Sequence, residues 1–421
     1  MADPPGAGGR VTLGPRFRGA VRHVRHAGLI AFAGAALALA DGIAPPLRVA
    51  SYSNEVEGSL VRAFAALREH GLKSALSEVD EMLARNPNYK LGYLIKGDLL
   101  MASAGQPVAF ASNGAPPADA LPLQDEARVR VKRYVDAPPT FELPATLLQL
   151  SPTQQHALVI DTSTNRLFVF ANDLGRPRYV TDFYISLGRN GVEKQREGDM
   201  KTPIGVYTLL ARKEKLRDKL PEIYGPGAYP LTYPNEWDKV NGRGGHGIWL
   251  HGTPSETYAR PPWATDGCVV LTNEDLAKLA KYVDVARTPV VIGPSVEWRK
   301  ANQWESEREA FLSDFNGWRK DWESLDAERY LSHYSRDFRS ARRDYAGWSE
   351  KKRQVTSGKT WIKVGVNDMS LFEYPGEENL VMVSFEQDYR SNNLSKRTFK
   401  RQFWAREDGH WRIVHEAVVG S

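Results

Sequence analysis

The 421 residues contain one cysteine, Cys268, and nine histidines. A single thiol excludes an internal disulfide, and no Cys/His cluster of the tetrahedral zinc type can be assembled around it. Neither a metal nor a cofactor is expected. Charge of one sign is also lacking. The 56 Lys/Arg and 51 Asp/Glu are interspersed and leave a formal net charge of +5. There is no dense basic patch with interleaved aromatics, which argues against nucleic acid as a partner. A mildly basic surface suits an anionic polymer, among many other partners. Long apolar runs are scarce, and nothing after Ala40 resembles a membrane-spanning segment.

One apolar stretch is present, from Ala27 to Ala40, behind a basic region of Arg16, Arg18, Arg22 and Arg25. It closes on Ala38-Leu39-Ala40, small-x-small, just before Asp41. This pattern predicts an export signal over 1–40 cleaved after Ala40, and so a periplasmic protein; left uncleaved, the same segment would be an inner-membrane anchor. In an exported chain a lone thiol is a chemical liability, which marks Cys268 as a candidate reactive group.

The rest divides by texture, and a chain of this length predicts two or three domains. Over 41–150 we expect a helical region followed by a Pro-rich linker. Apolar residues recur at helical spacing from Val61 to Leu83, Asn86-Pro87-Asn88 stops the run, and a further helix is expected from Tyr89 to Ala104. The pattern resembles a tetratricopeptide hairpin with its next helix. One such unit cannot bury its own apolar face and should pack on the adjoining domain. Region 151–294 reads as mostly β, with strands expected at Ala157–Asp161, Arg166–Phe170, Tyr179–Leu187, Gly205–Leu210, His246–His251, Val269–Leu271 and Pro289–Ile292, and one clear helix beginning after Thr272 as N-cap. Region 295–421 places tryptophan-bearing helices before alternating strands, an α+β module. The overall expectation is an α+β chain.

The informative segment is Ile248-Trp249-Leu250-His251-Gly252, followed by Thr265-Asp266-Gly267-Cys268-Val269. A histidine ends a strand and the cysteine comes 17 positions later, enough for a loop to return the thiol to the imidazole. A thiolate is the reactive form of cysteine, and a neighbouring histidine removes the proton and holds the ion pair. Such a pair gives a bell-shaped pH profile with one limb from each partner. Gly267 permits a tight turn, and the backbone N–H groups of Gly267 and Cys268 are candidate oxyanion donors. The competing reading of Cys268 is a small buried hydrophobe.

These residues resemble the L,D-transpeptidase catalytic-domain family, whose signature is a histidine, a loop, then Ser/Thr-His-Gly-Cys. A second block, Gly198-Asp-Met-Lys-Thr202-Pro203-Ile-Gly205, matches too, and the resemblance covers about residues 155 to 293. Two positions depart from it: Asp266 replaces the second histidine, and Val270 stands where many members carry a substrate-contacting arginine. The resemblance implies that Cys268 attacks the L,D bond of a peptidoglycan stem tetrapeptide, that His251 is general base and then acid, and that the Gly252 carbonyl orients the imidazole. An amine acceptor gives transpeptidation; water gives an L,D-carboxypeptidase. A different class, a peptidoglycan-binding scaffold without turnover, is weighed against both. The intact His251, Gly252, Gly267 and Cys268 speak for an enzyme.

Other candidates stand beside bland alternatives. His246 lines the site or is a solvated loop residue. Arg189 and Tyr233 contact the substrate or are ordinary loop residues. Asp266 positions His251, binds an amine or makes a turn. Thr265 is a candidate substrate contact. Trp249 is expected in core packing, and Trp263 is a candidate cleft wall. The last region resembles a nuclear-transport-factor-like cone, through the order of its elements and Trp404-x6-Trp411-Arg-Ile-x2-Glu416. The pocket common in that fold would take a wall fragment or a partner. The combination resembles L,D-carboxypeptidases that shape helical cells.

Overall fold

The computed structural model describes residues 56–105, 120–136, 141–214, 219–340 and 343–419. The expected export signal lies outside them. Among the described residues no helix is long and apolar enough to cross a membrane.

The N-terminal region forms helices α1 (Val56–His70), α2 (Leu72–Arg85), α3 (Lys90–Ser103) and α4 (Leu121–Val135). Gly71 separates the first two at φ +85°, a left-handed conformation that glycine adopts without strain. Their apolar stripes converge on one cluster that includes Leu60, Val79, Met82, Tyr89, Ile95 and Ala127, with Tyr258 and Ala259 of the next domain packed against it. The helical unit therefore does lean on its neighbour, as a unit too small to bury its own face must.

The adjoining domain holds a five-stranded sheet ordered Arg176–Tyr184, Arg166–Asp173, His156–Asp161, Pro289–Gly293, Gly205–Thr208. His156–Asp161 and Pro289–Gly293 run parallel and the other pairs antiparallel. Its strands are apolar on both faces, because side chains alternate and both faces are covered. Leu158, Ile160, Leu167, Val169, Val290 and Ile292 point into one core. Ala157, Val159, Phe168, Phe170 and Val291 point into another, shared with Phe372, Met382 and Phe403 of the last domain. A smaller sheet, ordered Val269–Val270, Trp249–His251, Gly227–Pro230, Lys213–Glu214, carries the motif residues. Two helices join it, α5 (Glu236–Val240) and α6 (Asn273–Leu279); Thr272 caps α6, its Oγ1 accepting from the Asp275 N–H at 3.1 Å.

The last domain packs α7 (Ala301–Glu323), α8 (Ala327–Ser332) and α9 (Tyr345–Ser357) against a curved sheet ordered Tyr334–Arg339, His410–Val419, Leu394–Glu407, Leu380–Ser391, Ile362–Glu373, Leu147–Gln149. Trp304, Phe311, Phe315 and Trp318 of α7 fill its concave side with Phe385 and Trp404. Three details differ from the sequence reading. The linker supplies an edge strand to this sheet at Leu147–Gln149, and Glu142–Pro144 pairs with Trp298–Lys300. Ile362–Glu373 is one strand with an irregularity between Asn367 and Ser370, where separate strands were expected at Trp361–Val366 and Leu371–Tyr374. A helix was expected over Ala327–Tyr334, but it ends at Ser332, and Tyr334–Arg339 form the opposite edge strand. Edge strands gain their stability from the pairing itself, which a local sequence pattern does not display.

Candidate active site

Strand Trp249–His251 runs parallel to Val269–Val270, with Leu250 opposite Val269 and His251 opposite Val270. The Leu271 N–H donates to the His251 carbonyl at 3.0 Å, and Val270 is held from the other side by paired backbone bonds to Ser186 at 2.9 Å. The pairing sets His251 opposite Val270 and leaves Cys268 one residue before the paired segment, on the same sheet edge. Cys268 sits on the approach to that strand, in a turn whose bonds are internal. The Thr265 hydroxyl donates to the Cys268 carbonyl at 2.7 Å and accepts from the Gly267 N–H at 3.1 Å. Gly267 has φ +118°, and a Cβ there would lie 2.6 Å from the Lys201 carbonyl, so only glycine fits.

The Thr202-Pro203 block explains itself here. Thr202 is fully buried; its hydroxyl donates to the Gly267 carbonyl at 3.1 Å and accepts from the Gly188 N–H at 2.9 Å. One side chain pins the turn that carries the thiol. Close by, Asp199 is partly desolvated, but hydrogen bonds from Lys194 and from the backbone N–H groups of Arg196, Gln195 and Lys201 hold it well below the usual carboxylate range. The Asn273 side-chain oxygen accepts from the Thr253 N–H at 2.9 Å and leaves no room for a Cβ on Gly252.

The His251 ring is buried, and its Nδ1 lies 2.7 Å from the Gly252 carbonyl. A carbonyl only accepts, so Nδ1 carries the proton and Nε2 is the free basic nitrogen. Tyr224 covers the ring edge-on at a centroid distance of 5.0 Å and lies 4.7 Å from Trp249. Burial pushes His251 down to about 4; the Gly252 bond opposes this and Arg260 adds to it. Burial pushes the Cys268 thiol up, partly offset by the Trp249 backbone N–H. The Cys268 Sγ–H donates to the Gly247 carbonyl at 3.4 Å. No hydrogen bond joins Sγ to the His251 ring among the described residues. Burial thus pushes each group toward its uncharged form, against the thiolate–imidazolium pair that the sequence reading expects.

The other candidates separate clearly. The Gly267 N–H is engaged by Thr265, so it does not serve as an oxyanion donor, and Thr265 is buried inside the turn instead of facing a substrate. Tyr233 is buried with its hydroxyl donating to the Gly244 carbonyl at 2.7 Å, which makes it a support for that loop and not a substrate contact. Asp266 is exposed and paired with Arg189; it does not reach His251. His246 is exposed, 3.3 Å from Glu197. Trp249 is not core: it stands half-exposed beneath Tyr224. Trp263 is 40% exposed at the edge of a two-stranded pairing with Leu187. Sequence reasoning missed Tyr224, Asn273 and Arg260. Nothing near them in the chain marks them, since each reaches the site from a loop or helix start.

A second cluster lies in the last domain. Lys400 Nζ is 2.6 Å from Glu416, which also accepts from Gln402 at 2.7 Å. Lys352 Nζ stands over Trp348 at 4.3 Å, Trp322 at 5.0 Å and Tyr330 at 5.4 Å. Burial brings Lys352 down to about 8, with Lys400 adding to the effect and Glu416 opposing it.

Residues 155–292 match the family model of the L,D-transpeptidase catalytic domain, and residues 310–417 match the Cds6 C-terminal NTF2-like domain. Bd1075 of Bdellovibrio bacteriovorus is similar at 27% identity and TM-score 0.58, over 66% of this chain and 99% of that one. The helical cell shape determining protein Pgp2 of Campylobacter jejuni is similar at 27% identity and TM-score 0.57, over 65% of this chain and 95% of that one. No curated protein matches. The site around Cys268 and His251 thus lies within an L,D-transpeptidase-family domain, that of peptidoglycan-acting enzymes, joined in this chain to a C-terminal NTF2-like domain.

Proposed function

We propose that this protein is a periplasmic cysteine acyl-transfer enzyme that cuts the L,D bond of stem tetrapeptides, with Cys268 as nucleophile and His251 as base. The observation that carries the reading is the His251 Nδ1–Gly252 carbonyl bond of 2.7 Å, which leaves Nε2 unprotonated on the strand beside the thiol. The thiol is neutral at rest, so its proton passes to Nε2 as sulfur attacks the carbonyl of the third residue. With the Gly267 N–H engaged, the Cys268 N–H takes the developing oxyanion. The imidazolium returns its proton to the departing D-alanine nitrogen, leaving a thioester. Water or an amine, deprotonated by Nε2, then resolves the thioester and the thiol is restored.

Water is the acceptor we favour. The match to a helical cell shape determining protein over both domains supports a trimming role, in which tetrapeptide becomes tripeptide. Transpeptidation to another stem is the competing outcome. Purified tetrapeptide muropeptides incubated with the protein and resolved by mass decide it. Tripeptide with released D-alanine is expected; a crosslinked dimer would make the enzyme a transpeptidase, and unchanged substrate would leave only a binding scaffold.

In the last domain, two lysines facing one glutamate beneath aromatic rings give a surplus positive charge in an apolar setting. This supports a binding role there for a wall fragment, with an anionic group held by Lys352 and a sugar or peptide face on the rings.

A further inference from the structure

The Tyr224 ring lies edge-on against His251 at a centroid distance of 5.0 Å and closes one side of the buried imidazole. It stands on a single 3-10 turn, Glu222–Tyr224, entered from Pro221 and left through Gly225 at φ +62°. None of the three turn residues is fully buried. A turn with so little core of its own takes its position from what it is fastened to. Two contacts fasten it. A Cβ on Gly225 would lie 2.4 Å from the Thr253 carbonyl and 2.7 Å from Asn273 Oδ1, so the turn is seated directly on the segment that follows His251. Glu222 Oε1 then accepts from both the N–H and the hydroxyl of Ser255, at 3.1 and 2.9 Å.

Ser255 is itself held. The Thr257 N–H donates to the Pro254 carbonyl at 2.9 Å and closes a turn around it, and the Thr253 hydroxyl donates to the Tyr258 carbonyl at 3.4 Å. From the helical region, Asn88 donates to the Ser255 carbonyl at 3.3 Å, and Tyr89 packs edge-on against Tyr258 at 4.9 Å. A chain of contacts thus runs from the Asn86-Pro87-Asn88 turn through Ser255 and Glu222 to the ring against His251. Ser255 is exposed and Glu222 half-buried, so each bond is modest, and its loss loosens the turn without unfolding the domain.

We propose that Glu222 is a positioning residue of the reaction: by gripping Ser255 it keeps the Tyr224 ring against His251 and so keeps water from the base. This rests on the functional reading of Cys268 and His251 as an acyl-transfer pair and deepens it. Burial is what pushes His251 down to about 4. With the ring loosened, water reaches the imidazole and its proton affinity climbs toward the ordinary value of about 6.5. The Gly252 carbonyl and Arg260 also act on the imidazole, and the variants below leave both in place. The Tyr224 hydroxyl, raised by its own burial, stays neutral across this range.

The test compares the full chain with Glu222→Ala, Glu222→Gln and Ser255→Ala. Proton binding by the His251 ring is read by NMR on histidine-labelled protein and assigned with His251→Ala, which needs no turnover. Glu222→Ala should raise the midpoint by about one pH unit, a tenfold change in proton affinity. Glu222→Gln keeps an acceptor oxygen and should stay close to wild type. Ser255→Ala keeps its N–H and should fall between the two. On a tetrapeptide muropeptide, the acid limb of kcat/KM should move with the ring in Glu222→Ala. There kcat should fall several-fold with KM little changed, since a base out of place slows the chemical step. If wild type turns over the tetrapeptide and Glu222→Ala leaves both the ring titration and the acid limb in place, the positioning role is overturned while the functional reading survives. A shift in Glu222→Gln as large as in Glu222→Ala also overturns it, because charge and not grip would then be responsible. If no stem is cleaved, yet the titration shifts in Glu222→Ala and is restored in Glu222→Gln, the grip on His251 stands and the functional reading fails.

Discussion

The cleft and the C-terminal cluster both take titratable groups out of water, by opposite routes. In the cleft, Cys268 and His251 lose their charges, each pushed toward its neutral form by burial. In the C-terminal domain, Glu416 is buried too, but Lys400 at 2.6 Å and Lys352, which stands over aromatic faces, hold its carboxyl below the ordinary value. Paired buried charges are stable and inert, whereas neutral groups held side by side can exchange a proton when a substrate arrives. On the proposed reading, the first site carries chemistry and the second recognition.

The largest expected effect comes from removing the base. His251→Ala should lower kcat/KM on the order of 10³-fold, measured on a tetrapeptide muropeptide, since it removes the proposed base. A drop of the same size for Lys352→Met in that assay would erase the distinction between the two regions.

The pH profile sharpens it. Because His251 is neutral down to about 4, the acid limb of kcat/KM should lie near 4, well below the ordinary imidazole value of about 6.5. The alkaline limb should lie above the ordinary thiol value, because burial raises Cys268. A limb near the ordinary imidazole value would restore the ion pair. Stability should move with the same group. As pH falls between about 6.5 and 4, the unfolded chain binds a proton that folded His251 refuses, so His251 costs stability across that window. Denaturant midpoints of wild type and His251→Ala should converge as pH falls through it.

Thr202→Val should act more gently. It removes a hydroxyl that joins the Gly267 carbonyl to the Gly188 N–H, both buried, for a loss of about 2 kcal/mol in unfolding free energy. The loosened turn should also lower kcat by about tenfold, equivalent to about 1.4 kcal/mol of barrier. The smallest effect is expected from Lys352→Met. Retention on purified sacculi, read by co-sedimentation, should weaken several-fold, with salt sensitivity reduced. Unchanged retention would remove the recognition role from this cluster.

Much of this architecture was legible in the sequence for a physical reason. The sheet strands are apolar on both faces, so ALVI and LFVF declare themselves without their neighbours, and the single cysteine leaves no choice of thiol. The helices of 56–103 were legible from their periodicity. Strand Leu147–Gln149 was not, because it is short, lies among prolines and is defined by its partner Leu371–Phe372. The site divides in the same way. His251, Gly252 and Cys268 are motif residues, carried by one backbone pairing and by a turn that Thr202 and Thr265 hold. Tyr224, Asn273 and Arg260 enter from separate loops, where only the folded chain shows what they touch. Thr265 was read as a substrate contact, and Tyr233 was left open between contact and loop residue, because a hydroxyl near a motif looks the same in sequence whether it faces a cleft or closes a turn.

The most direct measurement is the intact mass of the protein during turnover of a tetrapeptide muropeptide, quenched in acid. The account predicts a covalent adduct of the stem less D-alanine, mapped to Cys268, released by hydroxylamine and missing from Cys268→Ala. Turnover that persists undiminished in Cys268→Ala would contradict it outright.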